Sequence, residues 1–188
     1  MTRHRIGSRD ADDRVAWVHD AIDRYERPLV QYAMRITGDL ESARDIAQET
    51  FLKLWSADRE RVDGHVAEWL YTVCRNRALD VARKERRMTR LTDGTMDARS
   101  AGDLRGRDAT PSEPAPDANA QSPEERSALS SALQNLPDRQ REILRLKFQA
   151  GLSYKEIAGV MGLSVSNVGF LIHTSIKALR ESMHVQPG

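Results

Sequence analysis

Little in this chain of 188 residues is aromatic, sulfur-bearing or apolar over any length. Its one cysteine, Cys74, excludes an internal disulfide and suits a reducing compartment. No apolar stretch approaches the ~20 residues that a membrane-spanning helix requires, so a membrane is not an expected partner. The opening "MTRHRIGSRDADDR" is charged throughout and lacks the apolar centre of a secretory leader, which points to the cytoplasm. Five histidines (His4, His19, His65, His173 and His184) fall in no HExxH or paired metal-ligand spacing. A Gly-rich phosphate loop and a GxSxG turn are both missing, and Cys74 has no histidine at helical spacing. These absences argue against an enzyme, a metal centre and a cofactor. Net charge is only +1, so any affinity for nucleic acid has to come from local patches.

What is present is helical periodicity, in two zones. Val15, Val18, Ile22 and Tyr25 recur at three- and four-residue spacing, and Pro28 reads as the first turn of a second helix bearing Leu29, Tyr32 and Ile36. Gly38 punctuates, Asp39 is a candidate N-cap, and "LESARDIAQETFLKLW" follows with Ala43, Ile46, Ala47, Phe51 and Leu54. The stretch "SADRERVDGH" reads as a loop, after which the longest helix runs from near Val66 towards Arg90. Between about Thr92 and Ser122, "DATPSEPAPDANAQSP" and its flanks cannot bury enough apolar surface to offset ordering entropy, so a disordered linker is expected. Beyond it, "LPDRQREILRLKFQAG" is a helix with Pro137 in its first turn and Gly151 after its end. "SYKE" sets Ser153 and Glu156 as a capping box, and Ser164 caps the last helix. The expected fold is all-α: residues 1–91 and 123–188 as two small helical domains, joined by residues 92–122.

The longest helix is two-sided. On a wheel at ~100° per residue, Val66, Leu70, Val73, Cys74 and Val81 share one side, with Trp69 at its margin. Arg75, Arg83, Arg86 and Arg90 gather opposite. From Arg75 to Arg90 there are seven Lys or Arg against Asp80 and Glu85, a bias that solvated helix faces rarely show. A polyanion is the natural partner. Four phosphate contacts give a salt slope of about −3.6, roughly a hundredfold loss between 50 and 200 mM salt. Tyr71 projects away from the apolar side on this wheel and is a candidate to stack an unpaired base.

In this order the segments resemble bacterial RNA polymerase sigma factors of the extracytoplasmic-function (ECF) subgroup, which keep only regions two and four. "ARDIAQETFLKLW" is similar to the helix that docks on the β′ clamp coiled coil of core polymerase. "AEWLYTVCRNRALDVARKERR" is similar to the segment that melts and reads the −10 promoter element. "LPDRQREILRLKFQAGLSYKEIAGVMGLSVSNV" is similar to region four, a helix-turn-helix that reads the −35 element. The resemblance implies a factor that binds core polymerase, at the β′ clamp and the β flap, and directs it to promoter DNA. It implies core contacts at Asp45, Gln48, Glu49, Lys53 and Trp55, and −10 contacts at Tyr71, Arg75, Asn76, Arg77, Arg83 and Arg86. An anti-sigma factor is a further implied partner, for which the apolar Val168–Ile172 stretch is the expected surface. Promoter elements two DNA turns apart lie about 70 Å from each other. About thirty flexible residues span ~30 Å relaxed and ~100 Å extended, so the linker reaches when stretched.

One segment departs from the family. Where ECF recognition helices carry a basic run, this chain has "VGFLIHTSIKAL". The remaining −35 candidates are Arg139 and Arg141 on the preceding helix, with Ser164, Ser166, Asn167, Phe170, His173 and Lys177. So few cations suit a reader whose grip on phosphate is supplied by polymerase. The alternative is a stand-alone helix-turn-helix regulator, which should footprint a promoter without polymerase.

Overall fold

A computed structural model of the chain describes residues 6–92 and 122–184. Among the described residues there are eight α-helices and no strand. They are α1 (Ile6–Thr37), α2 (Leu40–Ser56), α3 (Arg59–Val62), α4 (Val66–Thr92), α5 (Pro123–Gln134), α6 (Asp138–Phe148), α7 (Tyr154–Met161) and α8 (Val165–His184). The first four pack into one unit and the last four into another. The expected linker falls largely on residues 93–121, outside the described residues.

In the first unit, Gly38 at φ +78° ends α1, a backbone sign that only glycine adopts without strain. Asp39 then caps α2, its carboxylate accepting the Ser42 N–H at 2.7 Å. That hydrogen bond holds the Asp39 carboxyl below its ordinary value. At the other end of α2, the Arg14 guanidinium donates to the carbonyls of Trp55 and Ala57. It thereby satisfies acceptors that a helix end leaves open, and it ties the start of α1 to the end of α2. Arg59 lies 5.6 Å from the centre of the Trp17 ring, which anchors α3 to α1 in the same region.

The core between α1, α2 and α4 is built from Leu29, Ala33, Ala43, Ile46, Leu54, Leu70, Cys74 and Ala78. Two expectations are corrected here. Pro28 does not start a helix but lies inside α1, which is continuous. Buried Ala21, Leu29, Tyr32 and Ala33 on either side hold the helix together against the ~3 kcal/mol that an internal proline costs. The buried face of α4 is also rotated, by roughly 75° on the wheel, from the valine-rich side. Leu70, Tyr71, Cys74, Ala78 and Ala82 are buried, whereas Val66, Val73 and Val81 are half-buried. Alanines at four-residue spacing let helices approach closely, and closeness here outweighs the greater apolarity of valine.

The second unit packs Leu136, Ile143, Leu146, Leu152, Ile157, Val160, Val168 and Ile172. Gly151 at φ +71° turns the chain after α6, and the Leu152 N–H returns to the Leu146 carbonyl at 3.0 Å. The capping box then starts α7: Ser153 Oγ accepts the Glu156 N–H at 3.3 Å, and Glu156 accepts the Ser153 N–H at 2.7 Å. Gly162 at φ +63° closes α7, and Ser164 Oγ accepts the Asn167 N–H at 3.2 Å to open α8. Successive helices α7 and α8 meet at 102°. That angle belongs to the helix-turn-helix range of about 90–120°.

Candidate nucleic-acid interface

The outward side of α4 carries Asn76, Asp80, Arg83, Lys84 and Arg87, all exposed, with Arg75 and Arg86 half-buried at its edges. Arg83 reaches Asp80 one turn back at 3.4 Å, a solvent-exposed pair that contributes little and is easily exchanged for a phosphate. Arg83, Lys84 and Arg87 face away from the bundle, so their charge is open to a polyanion. Arg90 lies on the helix beyond the residues whose side chains are described.

Tyr71 does not share that surface. It is 1% exposed and packs edge-on against Tyr32, ring centres 5.2 Å apart at 75°. Burial pushes its phenol well above the ordinary value, consistent with a ring locked in the core. The stacking role is therefore withdrawn for Tyr71, because the rotated seating of α4 turns it inward. Trp69, read at the margin of the apolar side, is half-buried at the upstream end of α4. Cys74 is buried beside Leu29, and desolvation pushes its thiol up to about 12, so it stays protonated and unreactive.

Arg77 is also placed differently from the other arginines. It points to α2, where its guanidinium donates to both oxygens of Glu49 at 2.6 and 3.0 Å. The structure thus brings together two residues that the sequence assigns to different surfaces. Along α2, Asp45, Gln48, Lys53 and Trp55 are exposed and Glu49 is half-buried. Sequence reasoning missed Leu52. It is 68% exposed and sits between Gln48 and Trp55, itself 45% exposed, on one helix face. Its position two short of Leu54 and one beyond Phe51, both buried, was the available signal: a leucine off the core stripe.

On α8, Val168, Ile172 and Ser175 are buried and Leu171, Ile176 and Leu179 half-buried, while Val165, Phe170 and Met183 are exposed, so the core takes only part of the helix's apolar content. The Val168–Ile172 stretch is accordingly no continuous surface; within it Phe170 alone is exposed, at 65%. Ser164, Ser166, Asn167, His173 and Lys177 are exposed around it. On α6, Arg139 is exposed, but Arg141 is half-buried and paired with Asp138, which removes it from the outward face. Lys147 lies over the Tyr154 ring at 5.4 Å and donates to the Leu152 carbonyl at 3.2 Å. Among the described residues no cluster of His, Cys, Asp or Glu is arranged to hold a metal ion. No single helix there is long and apolar enough to cross a membrane.

Two family matches coincide with the two units. Residues 21–88 match Sigma-70 region 2 and residues 126–179 match Sigma-70 region 4. The chain is 30% identical over 162 residues to the ECF RNA polymerase sigma factor SigL of Mycobacterium tuberculosis, covering 84% of each chain. The chain belongs to the ECF sigma factor family. Its function is that of the family: it directs RNA polymerase to promoters. This sigma factor is also similar to SigW of Bacillus subtilis, with 27% identity over 187 residues and 97% of each chain covered. In fold it resembles the sigma factor RpoE of Bartonella quintana, solved in complex with the anti-sigma factor NepR. The TM-score there is 0.61 at 20% identity, over 90% of this chain and 98% of that one. With matches to both sigma regions, the stand-alone regulator is not favoured.

Proposed function

We propose that the sigma factor divides its work among three helices. Through α2 it binds core polymerase, α4 engages and opens the −10 element, and α8 meets the −35 element. The observation that carries this reading is the contrast between two neighbouring helices of one unit. The exposed face of α2 mixes Asp45, Gln48, Leu52, Lys53 and Trp55, the polar-with-aromatic composition of a protein interface. Packed beside it, α4 turns Asn76, Arg83, Lys84 and Arg87 outward, with half-buried Arg75 and Arg86 along the edge, the composition of a phosphate-binding surface. Asn76 is suited to a base edge, since its amide both donates and accepts.

In the second unit, Arg139 and Lys177 are among the exposed cations, and Ser164, Ser166, Asn167 and His173 supply hydrogen-bonding groups. Phe148, 63% exposed at the end of α6, offers an aromatic contact for the β flap. The factor needs no cofactor for this work; bond formation belongs to polymerase, and the site of action is the cytoplasm where polymerase resides. An anti-sigma factor fits the α2 stripe as a competitor of core polymerase.

Run-off transcription with core polymerase on genomic fragments tests the reading. Specific start sites that depend on the factor are expected, and permanganate reactivity should appear at unpaired thymines near −10. Absence of any stimulation, even at low salt where phosphate contacts are strongest, overturns it.

A further inference from the structure

From Val165 to Ile176 the first three turns of α8 contain no Lys, Arg, Asp or Glu. Moreover, no acidic residue occurs between Glu156 and Glu181, a span that takes in most of α7 and of α8. A stretch of chain without acids adds no repulsion against a polyanion, while the scarcity of fixed cations leaves it little grip of its own; the first acid beyond it, Glu181, pairs with Lys177 at 3.9 Å. Selectivity on such a surface has to come from hydrogen bonds and shape. Along the outward face of α8 stand Ser166, Asn167, Phe170, His173 and Lys177.

Phe170 is the large apolar group at the centre of this face, and folding does not explain its exposure. Buried Val168 and Ile172 complete the core on either side of it. The Tyr154 ring of α7 lies 3.6 Å from where a side chain on Gly169 would begin, an ordinary contact distance, so the neighbouring position packs on α7. In a helix-turn-helix with a crossing of this kind, the early residues of the second helix meet base edges in the major groove. The thymine 5-methyl is the one apolar group that base edges present there.

We propose that Phe170 reads a thymine 5-methyl in the −35 element, so that specificity at one base pair rests on apolar contact while phosphate grip is supplied elsewhere in the holoenzyme. The proposal rests on the reading of α8 as the −35 reader. A protein partner for Phe170 is the competing assignment. The absence of acids along the chain from Ile157 to Arg180 favours DNA, because a protein partner imposes no such exclusion.

The test uses holoenzyme reconstituted from core polymerase and the full chain. An upstream element is first selected from promoter fragments randomised over that region. Each thymine in it is then replaced singly by deoxyuridine, which removes the methyl and nothing else. With the wild-type chain, replacement at one position is expected to lower initiation about fourfold, the factor for burying one methyl group. Phe170→Ala should initiate equally from the thymine and uracil templates at that position, and Phe170→Leu should keep part of the difference. Unfolding and core binding of both variants should match wild type, since the side chain is exposed. A template series with no uracil-sensitive position overturns the proposal, as does sensitivity that persists in Phe170→Ala. Weaker core binding by Phe170→Ala with thymine discrimination unchanged overturns it in favour of a protein contact. Failure of the wild-type holoenzyme to initiate on any fragment sinks the sigma reading itself, whereas initiation without a methyl effect sinks only the assignment of Phe170.

Discussion

Arg77 on α4 grips both carboxylate oxygens of Glu49 on α2, a two-bond bridge between the helix assigned to DNA and the helix assigned to polymerase. Its first consequence is electrostatic. The hydrogen bond from Arg77, helped by the charges of Arg77 and Lys53 and opposed by partial burial, holds the Glu49 carboxyl below its ordinary 4.5. A depressed carboxyl stabilises the fold above its unfolded pKa, and that contribution fades as pH falls through the folded value. Both side chains are about 40% exposed, so solvent screens the pair and the expected worth is about 0.5–1 kcal/mol. Arg77→Ala should lower the unfolding free energy from urea titration by this amount at pH 7, and the difference should shrink on acidification below 4.5. Fluorescence reports it cleanly, because Trp17, Trp55 and Trp69 all belong to the first unit. A penalty that is the same at pH 7 and pH 4 means the ion pair is not its cause.

The arginine face of α4 makes a separable prediction. Charge reversal by Arg83→Glu with Arg86→Glu should abolish promoter opening, read by permanganate reactivity of the −10 thymines. Core binding should survive, since the face proposed for core is that of α2. Each lost phosphate contact also flattens the dependence of log affinity on log salt by about 0.9. Melting that proceeds unchanged in the double variant removes α4 from the opening step.

Local signals made much of the fold legible, and tertiary seating accounts for what was missed. Gly38, Gly151 and the Ser153–Glu156 box state their conformations within four residues, and the structure has each of them as read. The continuity of α1 through Pro28 was illegible, because the burial that holds it comes from α2 and α4. Tyr71 was misread for a related reason: a wheel weighted by valines placed the core side of α4 off axis, whereas the alanines at 78 and 82 mark the close contact. The Glu49–Arg77 bridge spans 28 residues and no periodicity announces it.

Leu52 supplies a test of the α2 face that does not disturb the bundle. Its side chain is largely in solvent, so Leu52→Asp should leave unfolding within about 0.5 kcal/mol of wild type. At a protein interface the same change places a charge where an apolar contact was made. Affinity for core polymerase should fall by tenfold or more, the scale on which truncating an interface hot spot is felt. Trp55→Ala should behave alike in a competition assay for core. If both variants bind core as wild type does, the docking face lies elsewhere on the first unit.

Two glycines of the second unit should respond oppositely to alanine. Gly162 closes α7 at φ +63°, where a Cβ crowds the backbone, so Gly162→Ala should destabilise by about 1–2 kcal/mol even though nothing else lies within 4 Å. Gly169 sits inside α8, and a Cβ there meets the Tyr154 ring at 3.6 Å, an ordinary contact. Glycine costs a helix interior about 0.5–1 kcal/mol relative to alanine, so Gly169→Ala should stabilise by that amount. Amide hydrogen exchange along α8 separates the cases in the intact chain: protection should rise in one variant and fall in the other. Loss of protection in Gly169→Ala means Tyr154 cannot give way to the added methyl, and the packing of α7 on α8 is tighter than that distance allows.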